Sequence, residues 1–318
     1  MASMITMFLQ SAYSMIDGLF VSNLIGDTAL SAVNVAWPVI AVVTAIGTGV
    51  GCSGAVMMST KQGEGKNEES NIVRANVILA LLASSIVVTI LFLVLLTPLL
   101  KLMGAEGELL RLSQIYGRVM LTGGVLQILS CGLTPLLRND NRAVSAMMIM
   151  VGGLFANLGL DFVFMYVFHM GIGGAAGASL CAQLFTTLCC LIILGTKKTD
   201  PIRFSQFMIR KEYWKKIFKT AVSPFGISLT PSLLILYHNV ACLKFGGDLA
   251  VNAYALISST VGSYRVLLIG VAEGIQPLAS YAYGAHDFHA IPRETHKNCP
   301  FYLSDDAKFP LGPEYWFR

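Results

Sequence analysis

The chain has 318 residues, of which 55% are hydrophobic and only 13% charged, with a mean hydropathy of +0.66 and a formal net charge of +4. That balance excludes a soluble globular domain and assigns an all-α polytopic membrane protein whose solvent is the lipid bilayer. The excess positive charge follows the membrane topology described below, and gives no case for nucleic acid as a partner.

A helix needs about 20 apolar residues to cross hydrocarbon. About eight stretches meet that length, at 4–24, 33–58, 72–96, 112–137, 145–168, 172–194, 221–243 and 250–279. The first holds Asp17 and has neither a basic leader nor a small-residue cleavage site, so it reads as a retained helix and not a secretory signal. Nothing polar or aromatic marks its near end, so the chain reads as clipped at its start. The second span carries Gly47, Gly49, Gly51 and Gly54, a spacing that suits tightly packed helices. The fifth span carries Asn157 and Asp161, and the sixth Ser179 and Gln183.

A basic segment, 195–220, then divides the chain; its amphipathic part, 207–219 with Trp214 and Phe218, is expected to lie along the cytoplasmic membrane surface or to serve as a solvated linker. The seventh span holds His238 and Asn239, and the eighth Arg265 and Glu273. After Ile291 the chain turns polar and Pro-rich to its end, which reads as a non-homologous, disordered tail, out of frame or joined to foreign sequence. An offset of 221 residues superposes Gly26 and Asp27 on Gly247 and Asp248, and keeps register at Ser11 with Ser232 and Gly49 with Gly270. The expected organisation is therefore a six-helix lobe at 1–194, the linker at 195–220, two helices of a second, parallel lobe at 221–290, and the tail at 291–318.

Of the 22 lysines and arginines, only Lys101, Arg111, Arg118 and Lys244 fall outside when the N-terminus is placed in the cytoplasm, and Arg265 lies within the last span. The expected location is thus the plasma (inner) membrane, N-terminus inside. The seven cysteines have no paired spacing and read as packing residues.

A charge at membrane depth costs about 2.5–3.5 kcal/mol on insertion scales, so buried ionisable groups are read as functional. Asn157 and Asp161 share a helix face, being four residues apart. Asp17, from another helix, closes a candidate site in which two carboxyls cannot comfortably both ionise and so hold a proton or a cation. Ser179 and Gln183, also four apart, offer neutral oxygens, as further ligands or as packing. His238 stands where Asp17 falls in the repeat, and reads either as a proton-exchanging group or as a hydrogen-bonded filler. Glu273 is expected either to pair with helices beyond this chain or to sit near the cytoplasmic surface, and Arg265 to find a partner beyond the chain. No nucleophile beside a base and no metal-ligand constellation appears at membrane depth, so neither enzyme activity nor a metal or cofactor is expected.

Several stretches also resemble the multidrug and toxic compound extrusion (MATE) transporters. They are Gln10-Ser11 through Asp17-Gly18-Leu19-Phe20-Val21, Ala36-Trp37-Pro38, Gly47-Thr48-Gly49, Asn157-Leu158-Gly159-Leu160-Asp161 and Gly173 to Ala178. Gly274-Ile275-Gln276-Pro277-Leu278 and Tyr281-Ala282-Tyr283-Gly284-Ala285 resemble the MepA-like branch of that family. The resemblance implies a monomeric twelve-helix antiporter that exports small organic, often cationic, drugs in exchange for protons or sodium. It implies a cation site at Asp17, Asn157 and Asp161, with Ser179 as a further hydroxyl ligand. It also implies that this chain is truncated. A lipid-linked saccharide flippase of the wider superfamily and a non-transporting fragment remain the alternatives.

Overall fold

The computed structural model describes Leu9, Asp17, Val21, 24–196 and 210–287; the description leaves out the side chains of Asp27 and of several positions between 236 and 267. Most of the first predicted span, the 197–209 part of the linker and the tail after 287, with Cys299, lie outside the described residues, as does the side chain of Asn239. The described chain is helical, with no strand among its residues.

Six helices form the first unit: α1 (Asp27–Gly63), α2 (Asn67–Leu102), α3 (Gly107–Thr122), α4 (Gly124–Asn139), α5 (Ala143–Asp161) and α6 (Gly171–Gly195). In hydrocarbon every backbone group must be satisfied within its segment, which leaves helices as the form these apolar runs can take. Their hydroxyls turn inward on the same rule: Thr48, Ser84 and Thr134 donate to carbonyls four residues back. Between helices the chain reverses at positive φ, by glycine at Gly65 (75°), and also at Asn141 (60°) and His169 (50°), where an L side chain sits in the left-handed region.

α1, α2, α5 with the turn that follows it, and α6 are each long and apolar enough to cross a membrane. The predicted span 112–137 is not one rod. It breaks at Gly123 into α3 and α4, bent by 57°, and the two together make a fifth span. The cause is the Gly123-Gly124 pair, which frees the Met120 carbonyl; Gln127, fully buried, donates its Nε2 to that oxygen at 2.8 Å. A Cβ on Gly123 would meet the Leu180 side chain of α6 at 2.1 Å, so α6 packs against the break.

α1 is the central element. On one side its glycines meet α4: a Cβ at Gly51 would lie 2.4 Å from the Gly132 Cα and oxygen, and one at Gly47 2.7 Å from the Ile128 oxygen. Residues without side chains let the two backbones touch where lipid gives no hydrophobic drive to association.

Residues Lys211–Gly284 form a single helical run, α7. A straight helix of 74 residues would be about 111 Å long. α7 instead doubles back between 238 and 254, since the His238 and Tyr254 rings stack at 5.0 Å. Its two ends both reach α1: Ser53 Oγ donates to the Ile217 oxygen at 2.8 Å and Ser59 Oγ to the Pro277 oxygen at 3.1 Å. The two arms therefore correspond to the predicted spans 221–243 and 250–279. α7 begins inside the segment expected to be a linker. Its first turns pack on the first unit, with Ile217 fully buried and Tyr213 and Trp214 against the core, while Phe218 is 41% exposed.

One end of the molecule carries Lys61, Lys66, Arg74, Arg138 and Arg142, and its ion pairs knit the helices together. Lys61 bonds Glu64 at 2.9 Å and Glu69 at 3.0 Å. The Lys61 ammonium, and after it Lys66, hold the Glu64 carboxyl down at about 2. This depressed carboxylate gives its stabilisation above its ordinary range and loses it as pH falls through the folded value, so the turn stays paired at physiological pH. Deeper in, Arg74 and Asp140, each 1% exposed, lie 3.5 Å apart, with Asn71 accepting from Arg74 and Gln62 donating to Asp140. Removing one partner strands a buried charge, so Asp140→Ala should lower unfolding free energy by about 3–5 kcal/mol. Thermal unfolding of the purified variant checks this.

Candidate functional site

The site is built from three elements and Asp17. α5 presents Asn157 and Asp161 on one face, 5% and 0% exposed, one helical turn apart. Asp161 is the last residue of regular α-helix. From Phe162 to Val167 the chain winds as a π-helix, a wider turn that recurs at functional sites. The Asp17 carboxyl lies near enough to that of Asp161 for the two to interact. Tyr116 of α3, 5% exposed, lies in the electrostatic field of both carboxyls.

Two carboxyls within reach of each other can share a proton, or lend oxygens to one small cation, and the Asn157 amide one turn from Asp161 can add a neutral oxygen. The helices that hold them are fixed by close packing. α5 runs antiparallel to α6, with Gly153 against Thr186 near one end and Gly174 against Phe164 near the other. That register puts Ser179 at the level of Asp161, and Gln183 one turn away. Ser179 is half-buried, and the Gln183 Oε1 is buried with no hydrogen-bond partner among the described residues.

Tyr116 is the residue that the sequence reading missed. A tyrosine in an apolar segment reads as an interfacial anchor, and its approach to Asp17 depends on a fold contact nearly a hundred positions away in sequence.

Among the described side chains, the polar residues of the C-terminal spans have separate surroundings. His238 is exposed, with Nδ1 2.8 Å from the Leu234 oxygen and its ring stacked on Tyr254, the arrangement of a hydrogen-bonded filler. Arg265 is exposed, and the Asn239 side chain lies outside the described residues. Glu273 is a further 19 residues along from Tyr254, about 28 Å on a helix. Glu273 accepts from Arg138 at the end of α4.

The family model MatE matches residues 2–167. The multidrug export protein MepA of Staphylococcus saprophyticus subsp. saprophyticus is 24% identical over 282 residues, an alignment covering 88% of this chain and 62% of that protein. This chain thus spans less than two thirds of that relative's length. Among solved structures, a MATE crystal structure in the bent conformation superposes with a TM-score of 0.86 at 26% identity, covering 94% of this chain and 67% of the other. An outward-facing multidrug resistance MATE transporter of the MOP superfamily gives the same TM-score and identity over 93% of this chain and 66% of the other.

Proposed function

The chain belongs to the MatE family, and from that premise we propose that it serves export of small organic cations in exchange for protons or sodium. The observation that carries this reading is the pair Asp17 and Asp161, with Asn157 one turn from Asp161 and Tyr116 in the field of both carboxyls, inside the helices α1–α6. A proton or cation entering between the carboxyls removes the penalty of unbalanced charge in a buried site. Emptying the site restores that penalty, and the helices repack to relieve it, which is how binding at one place shifts the population of whole conformations.

In this reading the drug passes between α1–α6 and α7, alternating access exposing it first to one face of the membrane and then to the other. Contacts between the two run along the 49–63 part of α1: Gly49 meets Ala221 and Phe225, and Gly63 meets Tyr281 and Gly284. The basic end faces the cytoplasm in this reading, in the plasma membrane. Ser179 and Gln183 are secondary contributors to the cation site. Since this chain spans 62% of its staphylococcal relative, activity of the whole two-lobed machine is part of the proposal.

The test is transport by the purified chain in liposomes loaded with a fluorescent organic cation. A proton or sodium gradient imposed across the membrane should drive dye movement above that of protein-free vesicles. No gradient-dependent movement with either ion would refute the reading.

A further inference from the structure

The carboxylate site leaves the Arg138–Glu273 pair unexplained. Arg138 ends α4 and belongs to the first unit; Glu273 is on the second arm of α7, and the two are 135 positions apart in sequence. Their side chains are 9% and 20% exposed, so each is largely removed from water.

The arginine is held from behind. Two residues on, Asp140 is paired with Arg74 of α2 and accepts from Gln62 of α1, and Asn139 Nδ2 donates to the Pro135 oxygen at 3.0 Å. The end of α4 is thereby fixed to α1 and α2, and Arg138 is presented across the junction from a rigid base. The contacts around it are of another kind. Ser59 donates to the Pro277 oxygen, and Gly63 and Gly284 approach so closely that a Cβ on either would lie 2.1 Å from a carbonyl oxygen of the facing chain. These are neutral contacts between small groups, which part without stranding a charge.

The ion pair behaves differently. Parted but still out of water, each charge loses its partner without gaining hydration; parted and flooded, both are hydrated. Only two arrangements are therefore favourable, joined in a closed junction or separated in an open one. That is the signature of a bistable element rather than a graded one.

We propose that Arg138 and Glu273 form a latch that holds the basic end of the molecule shut, and that their separation accompanies opening of the junction at that end. This rests on the alternating-access reading above.

The test uses spin labels at Val144 and Tyr281, which are 65% and 52% exposed and lie on the two sides of the junction. They are introduced after the seven native cysteines are replaced by serine, and distances are measured in lipid nanodiscs. The unaltered pair should give a dominant short-distance population. Glu273→Gln and Arg138→Gln should each add a longer population, and the charge-reversed double variant R138E/E273R should return it to the short one. Singles indistinguishable from the unaltered pair would overturn the latch. So would a double variant no better than the singles, because that points to general loosening. If Glu273→Gln does not purify as a single species, Glu273→Asp takes its place, with a smaller shift expected and no shift overturning the proposal. Because this measurement needs no transport, a shift without gradient-driven dye movement sinks the functional reading alone, and transport without a shift sinks the latch alone.

Discussion

Asp161→Asn should reduce gradient-driven movement of an organic cation to the level of protein-free vesicles, while the protein still purifies as a single species. The substitution keeps the size and shape of a side chain that is 0% exposed, so packing around α5 is preserved. What it removes is the second ionisable group, near Asp17. An amide cannot give up a proton near neutral pH and is a weaker cation ligand, so the pocket loses the charge that has to be alternately neutralised and exposed. Asp17→Asn should have the same effect for the same reason, and Ser179→Ala a much smaller one. The measurement is the initial rate of dye movement under an imposed proton or sodium gradient. Retention of that rate in Asp161→Asn would remove Asp161 from the coupling site.

Gly51→Val should cost the fold itself. A Cβ at that position would lie 2.4 Å from both the Gly132 Cα and its oxygen, and these are backbone atoms that no rotamer change can move. Gly132 has no room to retreat, since a Cβ there would already meet Leu81 at 2.4 Å. Ordinary overpacking costs about 1–3 kcal/mol, and a clash with backbone that is itself backed by the Leu81 side chain should reach or exceed about 3 kcal/mol. The expected result is protein lost to aggregation on extraction, or a large fall in the thermal unfolding midpoint. Gly159→Ala is the matched control: it lies close to the carboxylate site in the same bundle, yet nothing stands within 4 Å of its Cβ position. It should be neutral or stabilise α5 by about 0.5–1 kcal/mol.

The sequence made the spans legible because bilayer thickness imposes a length that composition reveals directly. The runs 33–58, 72–96 and 172–194 fall inside α1, α2 and α6; α1 and α2 extend about five or six residues past them at each end, and α6 one. The break at Gly123 stayed hidden because glycine is common in such helices; the telling signal was Gln127, an amide in an oily run with a carbonyl to satisfy. Asn157 and Asp161 were legible because they sit on one helix at a spacing that fixes their shared face. Tyr116, and the pairing of Glu273 with Arg138, were not, because both are set by how distant segments cross. The change from α- to π-winding directly after Asp161 left no mark in an unbroken apolar stretch.

That wide turn bears on how the chain tolerates changes in length. A π turn carries one residue more than the α turn it replaces. Deleting a single residue within Phe162–Val167 should therefore tighten the helix to ordinary winding and leave Asp161 in register with the turns before it. A deletion within Ala143–Asp161 has no such slack, and would rotate Asn157 and Asp161 out of alignment with each other or with the helices they face. In a library of single-residue deletions, the survivors along this span should cluster on the far side of Asp161.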